Sequence, residues 1–178
     1  MLQPDQNCTR CALHSQRKQI VFGKGAIPPE VIIVGEAPGR TEDEGGEPFT
    51  GRSGILLTQL LLQNGLDRNT NLYITNTCKC RPPQNRTPKA AEVAACLPYL
   101  LSELESLSPK LIICVGLTPA KSVIDKKINI SQHHGQIYTL PSGLQAMVTY
   151  HPAAALRSPA LRPLLSADLE AAGRYIKG

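Results

Sequence analysis

Four short apolar runs rich in β-branched residues punctuate the chain, at 31–34 (Val-Ile-Ile-Val), 72–75 (Leu-Tyr-Ile-Thr), 111–115 (Leu-Ile-Ile-Cys-Val) and 147–150 (Met-Val-Thr-Tyr). Each is continuous rather than alternating, the pattern of a strand buried on both faces of a parallel sheet. Helical stretches lie between them. Residues 55–66 are Leu-rich. Thr87-Pro88 reads as an N-cap followed by Pro at the first helical position, opening a helix that runs to about residue 105, and Thr118-Pro119 repeats that signal. Residues 163–176 make a final amphipathic helix, and 134–140 form a hairpin with the last strand through the Pro141-Ser142-Gly143 turn. Strands alternating with helices predict an α/β fold with helices on both faces of the sheet.

The remaining properties of the chain fit one domain spanning residues 1–178. Its 178 residues, 42% hydrophobic and 19% charged, suffice for a sizeable core and exclude a disordered or collagen-like chain. No run approaches the roughly 18 apolar residues of a membrane span. The start, Met1-Leu2-Gln3-Pro4-Asp5-Gln6, lacks the basic-then-apolar pattern of a secretory signal. A cytoplasmic protein without a membrane partner is expected. In that setting six Cys point to metal, redox or core roles rather than disulfides. A net charge of +5 permits an anionic partner.

Function concentrates just past the strands. The runs end in Gly35-Glu36, Asn76, Gly116 and His151-Pro152, and in open parallel sheets the ligand crevice lies outside the carboxyl ends of the strands. Glu36, Asn76 and His151 therefore converge from three strands, although each alone also reads as a cap or turn former. The first loop, residues 35–54, is Gly-rich and leads into a helix N-terminus, so its amides can cradle an anion or polarise a carbonyl. It carries neither a Walker sequence nor Gly-x-Gly-x-x-Gly after the strand, which removes nucleoside triphosphates and dinucleotides. Phe49, one of only two Phe, is either a base-stacking platform or a peg fastening the loop. Five carboxylates between Glu36 and Glu47 suit a reaction passing through a cation, or form a solvated acidic loop.

Cys8-Thr9-Arg10-Cys11 is a C-x2-C pair, and Cys80 and Cys96 follow with 15 residues between them. Four thiolates suit zinc or an iron–sulfur cluster, and spacing does not choose. Cys114 lies in an apolar run and reads as core; Cys78 falls on the same side as Cys80 by strand alternation. Lys79, Arg81, Arg86 and Lys89 occupy a stretch without acids, which either tracks a phosphate backbone or is a solvated loop.

Gly-Glu-Ala-Pro-Gly-x-x-Glu-Asp, Pro-Phe-x-Gly-Arg-x-Gly, Asn-x-x-Lys-Cys-Arg-Pro-Pro and His-Pro-x-x-x-Leu-Arg occur in this order together with both Cys pairs. The ordered set closely resembles the family 4 uracil-DNA glycosylases, from Cys8 to about Arg157. The resemblance implies a three-layer α/β/α sandwich around a four-stranded parallel sheet. It also implies a [4Fe-4S] cluster on Cys8, Cys11, Cys80 and Cys96, with a cluster-binding segment over about residues 1–25. It selects Cys80 over Cys78, which stands where relatives have an aliphatic residue, and gives the cluster a structural role holding DNA-facing loops.

The activity implied is hydrolysis of the uracil–deoxyribose bond in single- or double-stranded DNA by a monomeric enzyme, with the base flipped out of the helix. Phe49 stacks on the ring, and Asn76 donates to O4 and accepts from N3–H, a pattern that cytosine reverses. His151, ahead of Pro152 at a helix start, acts as a neutral donor to O2, and Glu36, Ala37 and Pro38 line the other side. Other families place an Asp where Ala37 stands, so here the main chain or Glu42 holds the water; alternatively Glu42 stands near C5 and excludes the thymine methyl. Arg81, Arg86, Leu156 and Arg157 face DNA, the last two as wedge and phosphate grip. Three other readings are a related subfamily that captures uracil-DNA covalently, a non-catalytic iron–sulfur DNA-binding module, and a redox iron–sulfur protein with no DNA role, which leaves Asn76, Phe49 and His151 unexplained. The first uses a His in an inserted loop beside the third cysteine, and residues 81–95 contain no His. The second has no need of both Asn76 and His151.

Overall fold

In the computed structural model, which describes residues 1–178, the four apolar runs form adjacent parallel strands. They are β2 (Val31–Gly35), β3 (Leu72–Asn76), β4 (Leu111–Val115) and β6 (Gln145–Thr149). Two antiparallel edge strands, β1 (Lys24–Gly25) and β5 (Ile137–Thr139), complete a six-stranded sheet of order β1-β3-β2-β4-β6-β5. The parallel four-stranded core is as expected, and so is the β5–β6 hairpin, in which Ile137 faces Met147. The short β1, paired with Tyr73 and Ile74, carries no apolar run and so leaves no sequence signal.

Residues alternate between the two faces. Val31, Ile33, Leu72, Ile74, Leu111, Ile113 and Met147 pack on one side against α2 (Arg52–Gln63), α6 (Pro152–Arg157) and α7 (Leu161–Lys177). Ile32, Val34, Tyr73, Ile112, Cys114 and Val148 pack on the other against α3 (Ala90–Leu107) and α4 (Leu117–Val123). The result is three layers, with a wholly buried Cys114 in the core, as its run predicts. Two short helices, α1 (Arg40–Gly45) and α5 (Ile130–His133), lie in the connections, and no helix is long and apolar enough to cross a membrane.

Helix starts depart from the sequence reading. Neither Thr-Pro pair supplies an N-cap. Lys89 is the N-cap of α3, its N–H donating to the Glu92 carboxylate at 2.7 Å, while Gly116 caps α4. Glu92 three positions on provides the reciprocal half of a capping box, a stronger start than a Thr hydroxyl two residues upstream. His151-Pro152 behaves as predicted, N-cap followed by Pro at the first helical position.

Lys79, read in a stretch that either tracks a phosphate backbone or is a solvated loop, does neither: it is buried, and its ammonium pairs with the buried Glu103 of α3. Lys79 Nζ also donates to the Asn76 carbonyl at 3.0 Å, while Tyr73 and Thr75 hydroxyls donate to Glu103 at 3.2 and 3.0 Å. Burial and the Glu103 charge together hold the Tyr73 phenol well above its ordinary range. Glu103→Gln strands the Lys79 charge in the core and should cost about 3–5 kcal/mol. The double change Lys79→Met with Glu103→Leu should recover much of that loss, read from urea unfolding midpoints at constant m-value.

Candidate active site

The parallel strands run in the spatial order β3-β2-β4-β6, so the chain leaves β2 in one direction and β4 in the other. That divergence opens a crevice at the carboxyl ends of β2 and β4. A cavity of about 500 Å³ occupies it, lined by Glu36, Ala37, Pro38, Gly39, Glu42, Phe49, Asn76 and His151. All eight come from the three strand ends and the first loop that the sequence singled out. Arg86 and Arg157 stand at its wall as well, whereas Arg81 and Leu156 do not line it. Arg81 donates to Asn85 at 2.7 Å, and Leu156 is exposed on α6 next to Arg157.

Close packing at two glycines shapes the floor. A Cβ on Gly35 would lie 2.4 Å from Asn76 Oδ1 and 2.5 Å from the Phe49 ring, so only glycine lets both settle over the end of β2. A Cβ on Gly54 would meet the Phe49 carbonyl oxygen at 2.0 Å. Phe49 itself is buried, at φ +56°, a left-handed conformation that costs a non-glycine residue energy. Its ring centroid lies 6.0 Å from that of His151. Asn76 is almost wholly enclosed, 2% exposed.

His151 Nδ1 accepts the Ala153 N–H at 3.1 Å, the side-chain cap of α6. An imidazole nitrogen that accepts carries no proton, so the neutral ring has its hydrogen on Nε2. Burial is the main reason its pKa falls to about 4; the Arg157 charge adds to the shift and Glu42 opposes it. The cavity is thus equipped with an uncharged N–H donor.

The acidic cluster resolves into separate roles. Glu42 accepts Gly39 N–H at 3.1 Å on one oxygen and Thr50 and Gly51 N–H at 3.1 and 2.9 Å on the other, tying the loop to the start of α2. A carboxylate has about four acceptor positions, so one remains. Asp43 accepts the Lys18 N–H, Glu44 pairs with Lys18 and Arg40, and Glu47 pairs with Lys24. Only Glu36 and Glu42 line the cavity, and Glu36 accepts a short hydrogen bond from the Thr118 hydroxyl on α4. Thr118 carried no functional signal in sequence because its role depends on packing across 82 positions of chain. Arg86 forms a forked pair with Glu92 at 2.8 and 2.7 Å, which offsets its charge.

Cys8, Cys11, Cys80 and Cys96 surround a second, small cavity beside Arg17, Ile20 and Tyr99. All are free thiols. Arg17 Nη1 donates to Cys80 Sγ at 3.2 Å and the Lys79 N–H to Cys96 Sγ at 3.4 Å, donors suited to thiolates. Burial nevertheless pushes the Cys80 thiol up to about 11 and raises Cys96, so thiolates here call for a bound cation. No three Cys, His, Asp or Glu side chains sit together as the ligands of a single metal ion. Four cysteines round one cavity make a donor set fit for a thiolate-bound metal centre. Cys78 is buried against Leu13 and Ile20 and does not line the cavity.

A family profile described as the Uracil DNA glycosylase superfamily matches residues 22–172. The chain is 46% identical over 171 residues to a type-4 uracil-DNA glycosylase of Pyrobaculum aerophilum, covering 92% of this chain and 87% of that protein. A type-4 uracil-DNA glycosylase of Thermotoga maritima is 41% identical over 175 residues, or 97% and 91% of the two chains. One from Archaeoglobus fulgidus is 40% identical over 174 residues, or 94% and 87%.

The His151 environment gives a pH prediction. Folding lowers this pKa from 6.5 to about 4, so between those values the unfolded chain binds a proton that the folded chain refuses. The group's contribution to stability is complete above pH 6.5 and is lost as the pH falls toward 4. Nitrogen NMR of labelled histidine should show His151 as the neutral Nε2–H tautomer from pH 8 to about 5; titration near 6.5 would contradict the burial argument.

Proposed function

Because the chain belongs to the uracil-DNA glycosylase superfamily, in its type-4 branch, we propose that it removes uracil from DNA by hydrolysing the N-glycosidic bond. An abasic site and free uracil are the products. The observation that carries this reading is the meeting of Asn76, Phe49 and a neutral Nε2–H donor on His151 in one cavity with room for a flipped base.

Bond breaking builds positive charge on the sugar and negative charge on the departing ring. The base first leaves the stack, at a cost of a few kcal/mol that a mismatch reduces. It enters the cavity against the Phe49 ring. Asn76 donates its amide to O4 and accepts from N3–H; cytosine would oppose donor to donor and leave enclosed polar groups unpaired. His151 donates Nε2–H to O2 as charge gathers there, a preorganised contact worth about 3–4 kcal/mol. A neutral donor serves better than a cation, since it needs no proton from solvent and does not hold the product anion as a salt. Glu36, fixed by Thr118, lies on the side of the forming cation with the backbone of Ala37 and Pro38. The attacking water is held at the acceptor position of Glu42 that its three amide bonds leave free. Arg157 and Arg81 meet phosphates, Leu156 fills the space the base vacates, and Arg86 contributes less charge because of Glu92.

Cys8, Cys11, Cys80 and Cys96 would hold a [4Fe-4S] cluster. Its chemistry there would be structural, fastening the N-terminal segment to the stretch that follows β3 and to the second turn of α3. No step of base excision would pass through it.

On labelled DNA with one uracil, the chain should yield strand breaks only after alkali treatment; breaks without alkali would indicate a lyase, and a denaturant-resistant shifted band covalent capture. His151→Ala should lower the single-turnover rate by about 10²–10³-fold with little change in DNA affinity. Asn76→Asp should erode discrimination against cytosine, and unchanged excision by that variant would remove its assigned role. Purified protein should contain about four iron and four sulfide per chain. Cys96→Ala should lose both together with several degrees of thermal stability, measured by iron assay and calorimetry.

A further inference from the structure

Phe49 occupies a backbone conformation that its own side chain disfavours, and it has no place in a helix or strand to enforce it. One side chain outside the cavity bears directly on it. Arg68, in the turn between α2 and β3, donates Nη1–H to the Pro48 carbonyl at 2.8 Å and Nη2–H to the Phe49 carbonyl at 3.0 Å. The same Phe49 carbonyl is the atom that excludes any side chain at position 54.

The geometry points to Arg68 as a positioning residue for Phe49, its two-pronged guanidinium locking the left-handed turn that presents the aromatic ring to the base. The inference rests on the reading that Phe49 stacks on uracil. Three features support it. The guanidinium makes no ion pair with a carboxylate, although it is partly buried. Burial lowers its pKa from the ordinary value, and the Glu47 and Glu42 carboxylates partly offset that effect, so the charge is held there against solvation. Its two nitrogens take successive carbonyls, which orients one peptide plane relative to the next; an ammonium, with no planar fork, cannot fix both. Gly35 and Gly54 supply the room, and Arg68 supplies the hold.

The test uses the fact that the chain has two Phe only, Phe22 and Phe49. Phe22 packs with the cysteines, in a different hydrophobic cluster from the one that holds Phe49, and serves as an internal reference. Full-length protein labelled with 4-fluorophenylalanine should give two fluorine resonances. Arg68→Met should shift and broaden the Phe49 signal alone, and Arg68→Lys should do so in part. On uracil-DNA, Arg68→Met should lower the single-turnover rate by about 10- to 100-fold. In a Phe49→Ala background the same change should cost nothing further, since Arg68 then has no ring to position. An unmoved Phe49 signal, equal movement of both signals, or losses that multiply with Phe49→Ala would each overturn the assignment. A wild-type chain that leaves uracil-DNA intact would instead overturn the excision reading, while the fluorine spectra would still test the clamp.

Discussion

The buried pair of Lys79 and Glu103 joins the end of β3, α3 and the cysteine cavity at one point. Its ammonium holds the Asn76 carbonyl, so the strand end that presents Asn76 is fixed from below. The backbone of Lys79 reaches in two other directions, its N–H to Cys96 Sγ and its carbonyl to the Val21 N–H of the N-terminal segment. Glu103 brings α3 into the same knot, with Tyr73 and Thr75 completing its hydrogen bonds. A buried charge pair is a poor source of stability compared with apolar packing, but it tolerates only one arrangement. Here that arrangement couples the sheet, α3 and the cysteine cavity to the residue that would read the base.

The cavity rests on a similar division between rigid strands and a strapped loop. The strands β2, β3 and β6, which lead to Glu36, Asn76 and His151, cannot shift singly, because each is bonded to neighbours on both sides. The loop after β2 has no such ladder. Glu42 fastens it through three amides and Arg68 through two carbonyls, so a carboxylate and a guanidinium replace the missing strand partners. Most of the loop's other acids are taken up by Lys18, Lys24 and Arg40. What looks in sequence like an acidic patch is largely the fastening of one loop.

His151 shows how a single local contact sets chemistry. The helix that follows needs its first N–H groups satisfied, and Nδ1 satisfies one of them. The proton is thereby assigned to Nε2. Burial and Arg157 then keep a second proton off, so the tautomer and the charge state are both settled before any substrate arrives.

The four parallel strands, their ends and their loops were legible in the sequence because continuous apolar runs have one good solution, and the candidate site residues follow those runs directly, whereas the short edge strand β1 left no signal. The motif order likewise marked Cys8, Cys11, Cys80 and Cys96, and the fold gathers them around one cavity. The helix starts of α3 and α4 were misplaced, since Glu92 and Gly116 compete with Thr-Pro pairs on geometry that short-range pattern does not contain. Thr118, Glu103 and Arg68 were not legible at all: their partners lie 82, 24 and about 20 positions away. The sequence by itself determined which chemical groups stand at the strand ends, because hydrophobic periodicity places those ends. Only the tertiary structure decided which charges are buried and paired, which nitrogen of His151 carries the proton and what holds Phe49 in place, because those depend on distances between segments that no local pattern encodes.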